Sequence, residues 1–567
     1  MLDPAGLVAF QLPKALISRA FDWPIAAALL IAFVTHGNAI VPRHRLHVLM
    51  AALIAVVDLS APFAADRYIA IFGDAENYAG LTFLIDMLLL YVATAVAVRA
   101  ERDVLVLLGA AIAAGAVSIV YGLAQSFGLD PFGWETDPRA RPFATFGNAD
   151  HFGHFLSVLF GITLGLALAL PERRGRVVSA VSVLGALAMS AIVATRATLL
   201  GIVAALIAAA TIRRPTGRAL IVGTVATAAV GVALAMTPLG QRVIGGASVN
   251  DRFALWDVAL RATLARPLLG YGPDNFRAAF AAHRTIDSIP LLGVGPQATA
   301  HNWILDASAT TGMIGLAALI ALIAAGTIEL WRLATSRPSV GVPLLLGWAA
   351  YWADGLVAAV SMAAAWYPWI ALGSAVALRG ARPAESAERR IPRWAIAVLA
   401  VIALVAAATG ARAFQANRDA WSSEESTHFG DQGEALTFAD RAAARDGGRA
   451  DHWNRLGLAL EALQRRSDAV DAYREATRHG PYEAVYWANL ARALTRVAGS
   501  DPDRRDDAIA AARQATIVDP NAPVGHVVLA EIAIAFGRCE LALSEATRAA
   551  SLEPGHDALV GRAQSCR

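Results

Sequence analysis

The sequence predicts an all-α protein, a polytopic membrane bundle of about 12 spans followed by a C-terminal helical-repeat solenoid. Three observations predict it. Of the 567 residues, 56% are hydrophobic and only 17% charged, with a mean hydropathy of +0.49, which excludes an ordinary soluble multidomain chain. Apolar runs of membrane length recur as far as residue 413. From about Ala416 the composition turns mixed and charged, and small residues recur with a period of about 34. The expected division is a membrane domain over 1–415, with a large extracytoplasmic loop at 238–301, and a repeat domain over 416–567.

A span needs about 20 apolar residues. Spans are expected near 21–40, 46–64, 81–98, 104–126, 151–170, 177–194, 197–212, 218–237, 302–331, 342–361, 364–379 and 394–413. As one helix, Val177 to Ile212 would reach about 54 Å, so it must turn, and Arg196 is the only charged residue where it can. Arginine-rich short loops mark the cytoplasmic side: Pro42–Arg45, Val98–Arg102, Glu172–Arg176, Ile212–Arg218, Trp331–Arg337 and Arg379–Arg393. They alternate with loops 65–80, 127–150 and 238–301, which are then extracytoplasmic together with everything after Arg412. The scheme puts the N-terminus outside despite Lys14, the only lysine, and Arg19. No signal-peptide succession precedes the first span, which is expected to act as an uncleaved anchor. The formal net charge is +2, and the arginines are scattered rather than gathered with aromatics, which argues against nucleic-acid binding.

In the tail, Trp453, Leu456, Gly457, Leu460, Ala469, Tyr473, Ala476 and Pro481 stand at the offsets of a tetratricopeptide (TPR) helical hairpin. A second copy has Trp487, Leu490, Ala491, Leu494, Ala508, Ala512, Ala515 and Pro520. A third has Leu529, Ala530, Ala542, Ala546, Ala549 and Pro554, and Ala435, Ala439 and Ala442 mark a degenerate first copy. Small residues at these places let paired helices approach, and neighbouring hairpins bury one another's apolar faces. The helix after His556 would cap the stack. Such a stack binds a protein partner or rests on its own membrane domain. The only cysteines are Cys539 and Cys566; a disulfide on the oxidising side and two separate buried thiols both fit the sequence.

Arg141, Arg196, Arg252 and His301 fall at the outer ends of spans. One such arginine can simply snorkel to the interface. Several facing one leaflet make a phosphate site, because guanidinium forks match phosphate oxygens. They would hold a lipid-linked pyrophosphate, the activated sugar donor where nucleotides are absent. His301 can take a proton from an attacking hydroxyl, Asn302 can orient it, and Gly312 and Gly315 permit close helix packing. Asp354, the lone acid of an aromatic-rich span, either serves as a base or pairs with an arginine. His36, His44, His47, His151, His154 and His283 do not form a metal set: no carboxylate accompanies His151 and His154 on their helix face. GYGPDNF, from Gly270, reads as a turn before an amphipathic helix rather than a phosphate loop.

These motifs resemble the O-antigen ligase and polymerase (Wzy/WaaL-like) family. The resemblance rests on Ala144–Asn148 before a span, the turn Thr195-Arg196-Ala197, Arg252 and Trp256 leading to Pro267–Phe276, and the segment His301–Leu316. It covers roughly 80–380 and departs at Thr195 and Ala197, where serine and glycine are usual, and at Thr310, where glutamate is common. It implies a GT-C-like helical fold and a metal-independent enzyme without cofactor, which passes glycan from an undecaprenyl-pyrophosphate carrier to an acceptor hydroxyl on a lipid, saccharide or protein. Arg196 and Arg252 would bind the pyrophosphate and His301 would activate the acceptor, with Asp354, Asn302 and Arg141 in support. It further implies the bacterial inner membrane, with the repeats periplasmic. The competing class is a transporter or assembly scaffold. Against it, no internal repeat relates the membrane halves and no span is expected to be interrupted mid-membrane.

Overall fold

The computed structural model describes residues 3–134, 136–213, 247–359, 362–381, 393–499 and 501–566. The span expected at 218–237 lies outside these. Among the described residues the regular structure is helical, apart from one isolated bridge between Arg43 and Ala381. In chain order the membrane domain has α1 (Gln11–His36), α2 (Leu46–Ser60), α3 (Arg67–Phe72), α4 (Leu81–Ala97), α5 (Glu101–Ser126), α6 (Ala149–Ala169), α7 (Arg173–Val193) and α8 (Arg196–Arg213). After the undescribed stretch come α9 (Ala247–Ala265), α10 (Phe276–His283), α11 (Ile289–Leu292), α12 (Trp303–Ser336), α13 (Pro338–Asp354), α14 (Met362–Arg379) and α15 (Arg393–His428).

Among the described residues, six stretches are long and apolar enough to cross a membrane: α1, Leu46–Phe63, α5, α6, α7 and α12; α4 and Arg196–Ile212 are shorter apolar helices. Their outward residues are hydrocarbon: Phe21, Leu30 and Phe33 on α1, Val106, Val117 and Val120 on α5, Val181 and Leu184 on α7 are all exposed. A bundle with apolar sides and its backbone satisfied within helices is what a bilayer requires. At the centre α6 packs on α13 with little side chain between them: a Cβ on Gly161 would meet Gly347, and one on Gly165 would meet Pro343. The first helix starts ten residues earlier than the apolar pattern suggests, since α1 takes in Lys14 and Arg19.

Both charges are absorbed inside the fold. Lys14 Nζ donates to the Thr145 carbonyl at 2.6 Å, and Arg19 donates to Thr82 Oγ1 at 2.6 Å and lies 3.5 Å from Asp86. They are thereby weakened as a competing orientation signal. At one end of the bundle Glu329 accepts from Arg45 and Arg332, both at 2.8 Å, and from Arg379 at 2.9 Å. Three of the arginine-rich loops therefore meet on one face. The other end gathers loop 65–80, helices α9–α11 and the N-terminal residues, of which Val8 donates to Asn417 Oδ1 at 2.8 Å.

The doubtful run at 177–212 is two helices, turning at Ala194 in the left-handed region (φ 52). Contrary to the expectation of uninterrupted spans, α12 is broken at Gly312 (φ 72, ψ −176). The piece beyond the break, residues 313–336, is about 36 Å long at 1.5 Å per residue and long enough to span by itself, so the break falls near one end of the helix. Another difference concerns α13, which stops at Asp354 rather than 361, because Gly355 turns away and its carbonyl accepts from Trp303 N at 3.0 Å.

The boundary expected at 415/416 falls inside α15, which runs unbroken from the bundle into the tail and pairs with α16 (Gln432–Arg445) as the degenerate first hairpin. Three hairpins follow: α17 (Ala450–Ala462) with α18 (Arg466–His479), α19 (Ala484–Ala498) with α20 (Pro502–Val518), and α21 (Pro523–Ala535) with α22 (Cys539–Leu552), capped by α23 (Asp557–Gln564). The alanines at the repeat offsets are buried in all four hairpins. Gly457 is needed because a Cβ there would stand 2.5 Å from the Tyr473 ring. Each turn is held by a ring N–H on the carbonyl six residues back: Trp453 to Gly447, Trp487 to Pro481 and His526 to Pro520, at 2.7, 2.8 and 3.0 Å. This is a TPR solenoid. Cys539 and Cys566 form a disulfide that ties α22 to the end of the cap.

Candidate active site

The frame of the site is a junction between two sequence motifs. At the break in α12 the backbone opens, and the turn after α9 is stitched into the gap: Met313 N donates to Pro267 O at 2.8 Å, Tyr271 N to Ala309 O at 2.9 Å and Gly272 N to Thr310 O at 2.8 Å. Gly312 permits this through its positive φ and its missing side chain, since a Cβ would lie 2.1 Å from the Leu268 carbonyl oxygen. Asp274 and Asn275 then tie the turn to loop 65–80. Asp274 accepts from the backbone N–H of Asp74 and Ala79 at 2.7 and 2.9 Å, and Asn275 Oδ1 accepts from Asp66 N at 2.7 Å. Burial, reinforced by Asp74, pushes the Asp274 carboxyl well above the usual range. The segment is a turn followed by helix α10, as its sequence suggests.

On this frame α9 presents Arg252, α12 is preceded by His301, α8 opens on Arg196 and the loop before α6 carries Arg141. The structure brings Arg252 and Arg141 together around a carboxylate the sequence reading did not single out, Asp150 in the first turn of α6, and His301 is near enough to feel the charges of Arg252 and Asp150. Arg141 Nη2 donates to Asp150 Oδ1 at 2.8 Å, and Arg252 Nη2 lies 4.0 Å from Asp150 Oδ2. Burial lowers the pKa of Arg252; Asp150 and Asp251 oppose this, while Arg196 is near enough to lower it further. The imidazole of His301 is held down at about 3, first by burial and then by Arg252, with Asp150 acting the other way and His151 adding to the fall. His301 is therefore neutral near pH 7 and able to accept a proton. Its backbone has a φ of 52, and its Nδ1 is buried without a hydrogen-bond partner among the described residues.

Asn302 acts on His301 through the backbone. Its Oδ1 accepts from Ile304 N and Leu305 N as the N-cap of α12, which fixes the chain just after His301. Asp354 lies at the end of α13, 3.9 Å from Nδ1 of His154, both fully buried. A carboxylate thus does reach one of the α6 histidines, from another helix rather than from its own face. Thr195, at the turn before Arg196, packs its hydroxyl against that of Thr198, and a Cβ on Gly153 would run into both. The larger residue at this turn is accommodated by glycine on the facing helix. Thr310 spends its hydroxyl on the Asp306 carbonyl at 2.6 Å. A cavity of about 260 Å³ opens between α2, α4, α12, α13 and α14, walled by Trp303, Trp348, Tyr351, Trp352 and Trp369 with Asp274 and Asp306 as its acids; Arg141, Arg196, Arg252 and His301 do not line it.

The remaining histidines are dispersed: His44 beside Glu329 at 3.5 Å, His47 bonded to Tyr91 at 2.9 Å, His151 to Gln11 at 3.2 Å and His283 to Tyr271 at 2.5 Å. Among the described residues no three His, Cys, Asp or Glu side chains stand together as a metal set. Asp150 had a readable signal, standing two residues after the capping Asn148; its pairing with Arg252 across about a hundred residues had none.

Three solved structures resemble part of the chain. They are the MamA protein (16% identity, TM-score 0.24, covering 26% of this chain and 80% of that one), YrrB, described as a TPR protein with an unusual peptide-binding site (18%, 0.23, 26% and 74%), and TTC0263, a thermophilic TPR protein in Thermus thermophilus (22%, 0.24, 31% and 95%). A comparison with curated proteins finds no match. Residues 153–320, which hold Arg196, Arg252, His301 and the break at Gly312, match the model of the family Wzy_C, described as O-antigen ligase.

Proposed function

We propose that the chain is an O-antigen ligase-like enzyme that transfers glycan from an undecaprenyl-pyrophosphate carrier to an acceptor hydroxyl on a lipid or saccharide, at the outer face of the inner membrane. The observation that carries this reading is the pairing of Arg141 and Arg252 with Asp150, with His301 and Arg196 near enough to Arg252 to share its field. Arg196 and Arg252 bind the pyrophosphate. The acceptor oxygen attacks the anomeric carbon, its proton passes to His301, and the bond from that carbon to the phosphate oxygen breaks. The electron pair leaves with the pyrophosphate, whose charge fixed guanidinium groups stabilise without reorganising; a metal-independent reaction is part of the proposal. Asp354, Asn302 and Arg141 support the site from behind. The tryptophan-walled cavity suits the sugar face or hydrocarbon of an acceptor. The Cys539–Cys566 bond supports an extracytoplasmic repeat domain, since disulfides persist on the oxidising side.

The test is a knockout complemented with His301→Ala or Arg252→Ala at equal expression. Carrier-linked polymer accumulating beside unmodified acceptor is the expected result. Accumulation of single repeat units would instead identify a polymerase, and loss of glycan from a protein would identify a protein O-oligosaccharyltransferase. Wild-type surface glycan in both variants would remove His301 and Arg252 from the chemistry and leave the transporter or scaffold reading.

A further inference from the structure

The turns that precede the first helix of each successive hairpin form one edge of the repeat stack, and that edge meets the loops that carry the site. In the first turn Asp446 accepts from the Tyr68 hydroxyl at 2.5 Å, and the Arg449 guanidinium lies over the Tyr68 and Tyr78 rings at 5.5 and 5.3 Å. In the second, Tyr482 packs into the cluster of Leu255, Val258, Phe276 and Phe280, and Glu483 stands 3.7 Å from Arg277. In the third, Asp519 pairs with Arg284 at 2.8 Å, with side chains 7% and 1% exposed, and Asn521 Nδ2 donates to the Arg284 carbonyl at 2.6 Å.

Helix α10 has eight residues; Arg277 in its first turn is held chiefly by Asp74 and Glu76 of loop 65–80 at 2.9 Å, and Arg284 just after its end by Asp519 of the repeat edge. A helix this short has no stability of its own in water, so its place is set by what holds its two ends. Helix α9, in turn, buries a stripe of Leu255, Val258, Ala259 and Ala262 against Phe276, Ala279 and Phe280, and Arg252 stands one turn before that stripe. Two links therefore connect the repeat edge to Arg252: turns to α10, and α10 to α9. A buried charge pair specifies one register more than it adds stability, and removing one partner strands the other.

We propose that this edge of the repeat stack is a mount whose partner is the chain's own α9–α10 hairpin, and that the Arg284–Asp519 pair is a positioning contact keeping Arg252 within reach of His301. This rests on the reading of Arg252 as a donor ligand. The test uses the full-length protein in membranes, comparing Arg284→Asp, Asp519→Arg and the double exchange, with Tyr482→Ala as a milder disruption of the same contact. Each single exchange should raise the KM for lipid-linked donor about tenfold or more while leaving the KM for acceptor unchanged, and the double exchange should recover most of the loss. Tyr482→Ala should shift donor KM in the same direction. Normal donor KM in both single exchanges overturns the proposal. So does a loss that the double exchange fails to recover, or a fall in protein level with both KM values unmoved. Arg252→Ala separates the two readings: if it keeps normal transfer, the assignment of the donor site fails, whatever the exchanges do.

Discussion

Replacing Gly312 by alanine tests the junction on which the site is built. The backbone there has φ 72 and ψ −176, a region that is essentially glycine's own and costs a residue with a side chain about 1–3 kcal/mol. The added methyl would also sit 2.1 Å from the Leu268 carbonyl oxygen, a backbone atom that retreats only if the stitched turn retreats with it. That breaks the bond from Met313 N to Pro267 O, at a further cost of about 0.5–1.5 kcal/mol. The sum, about 1.5–4.5 kcal/mol by these figures, falls on the local junction, because residues 313–336 remain long enough to cross a bilayer. If all of it is charged to the competent arrangement, about 1.4 kcal/mol per tenfold predicts a loss of transfer of at least about tenfold. Gly109→Ala, in α5, is the control: nothing stands within 4 Å of its added Cβ, so its effect should be several-fold smaller. Transfer of labelled glycan by membranes with matched protein levels is the measurement. Equal activity in Gly312→Ala and wild type, or equal losses in the two variants, would refute the argument.

Two other outcomes are expected. The disulfide closes a loop with a sequence separation of 27, for which chain entropy assigns roughly 3.5 kcal/mol; Cys539→Ser with Cys566→Ser should lower the melting point of the repeat domain, and in intact spheroplasts an impermeant maleimide should label the wild type only after reduction. His301 titrates at about 3 rather than near 6.5, so the fold favours its neutral form. The stability this confers is fully present above pH 6.5 and is lost as pH falls toward 3. His301→Gln should therefore melt with a shallower loss between pH 6.5 and 4 in detergent; parallel wild-type and variant curves would contradict the burial of a neutral imidazole between Arg252, Asp150 and His151.

Much of the fold was legible because its signals are periodic. The repeat offsets mark the buried alanines, and the apolar runs mark the helices to within a few residues except where polar groups are absorbed. Lys14 and Arg19 concealed the first ten residues of α1, because a charge with an internal partner looks the same in the sequence as one facing water. Asp354 read as mid-span because Gly355 and the apolar residues after it continue the hydropathy of α13; only the bond from Trp303 N reveals the helix end. The break at Gly312 was read as a packing glycine. The chain marks it with a Gly-x-x-Gly spacing suited to helix contact, and the physical demand for a positive φ comes from Leu268, about 45 residues away. Residue identities at the site were readable as chemistry. Their pairing through Asp150 was not, since nothing local in Asp150 distinguishes a helix-start acid from the counter-ion of Arg141 and Arg252.

That counter-ion bears on how His301 would serve as the proposed base with so low a pKa. Without donor, the imidazole feels burial and the Arg252 charge together, and a group held at about 3 is ready to receive a proton yet binds it weakly. On the reading proposed above, an arriving pyrophosphate places at least two negative charges against the same guanidinium. This reverses the sign of the field that Arg252 imposes on His301, and closure over the donor strengthens it by excluding water. Asp150 already acts in that direction from 4.0 Å beyond Arg252, and a dianion beside the imidazole acts more strongly. The base thus gains strength when the leaving group is in place and is weak when it is absent.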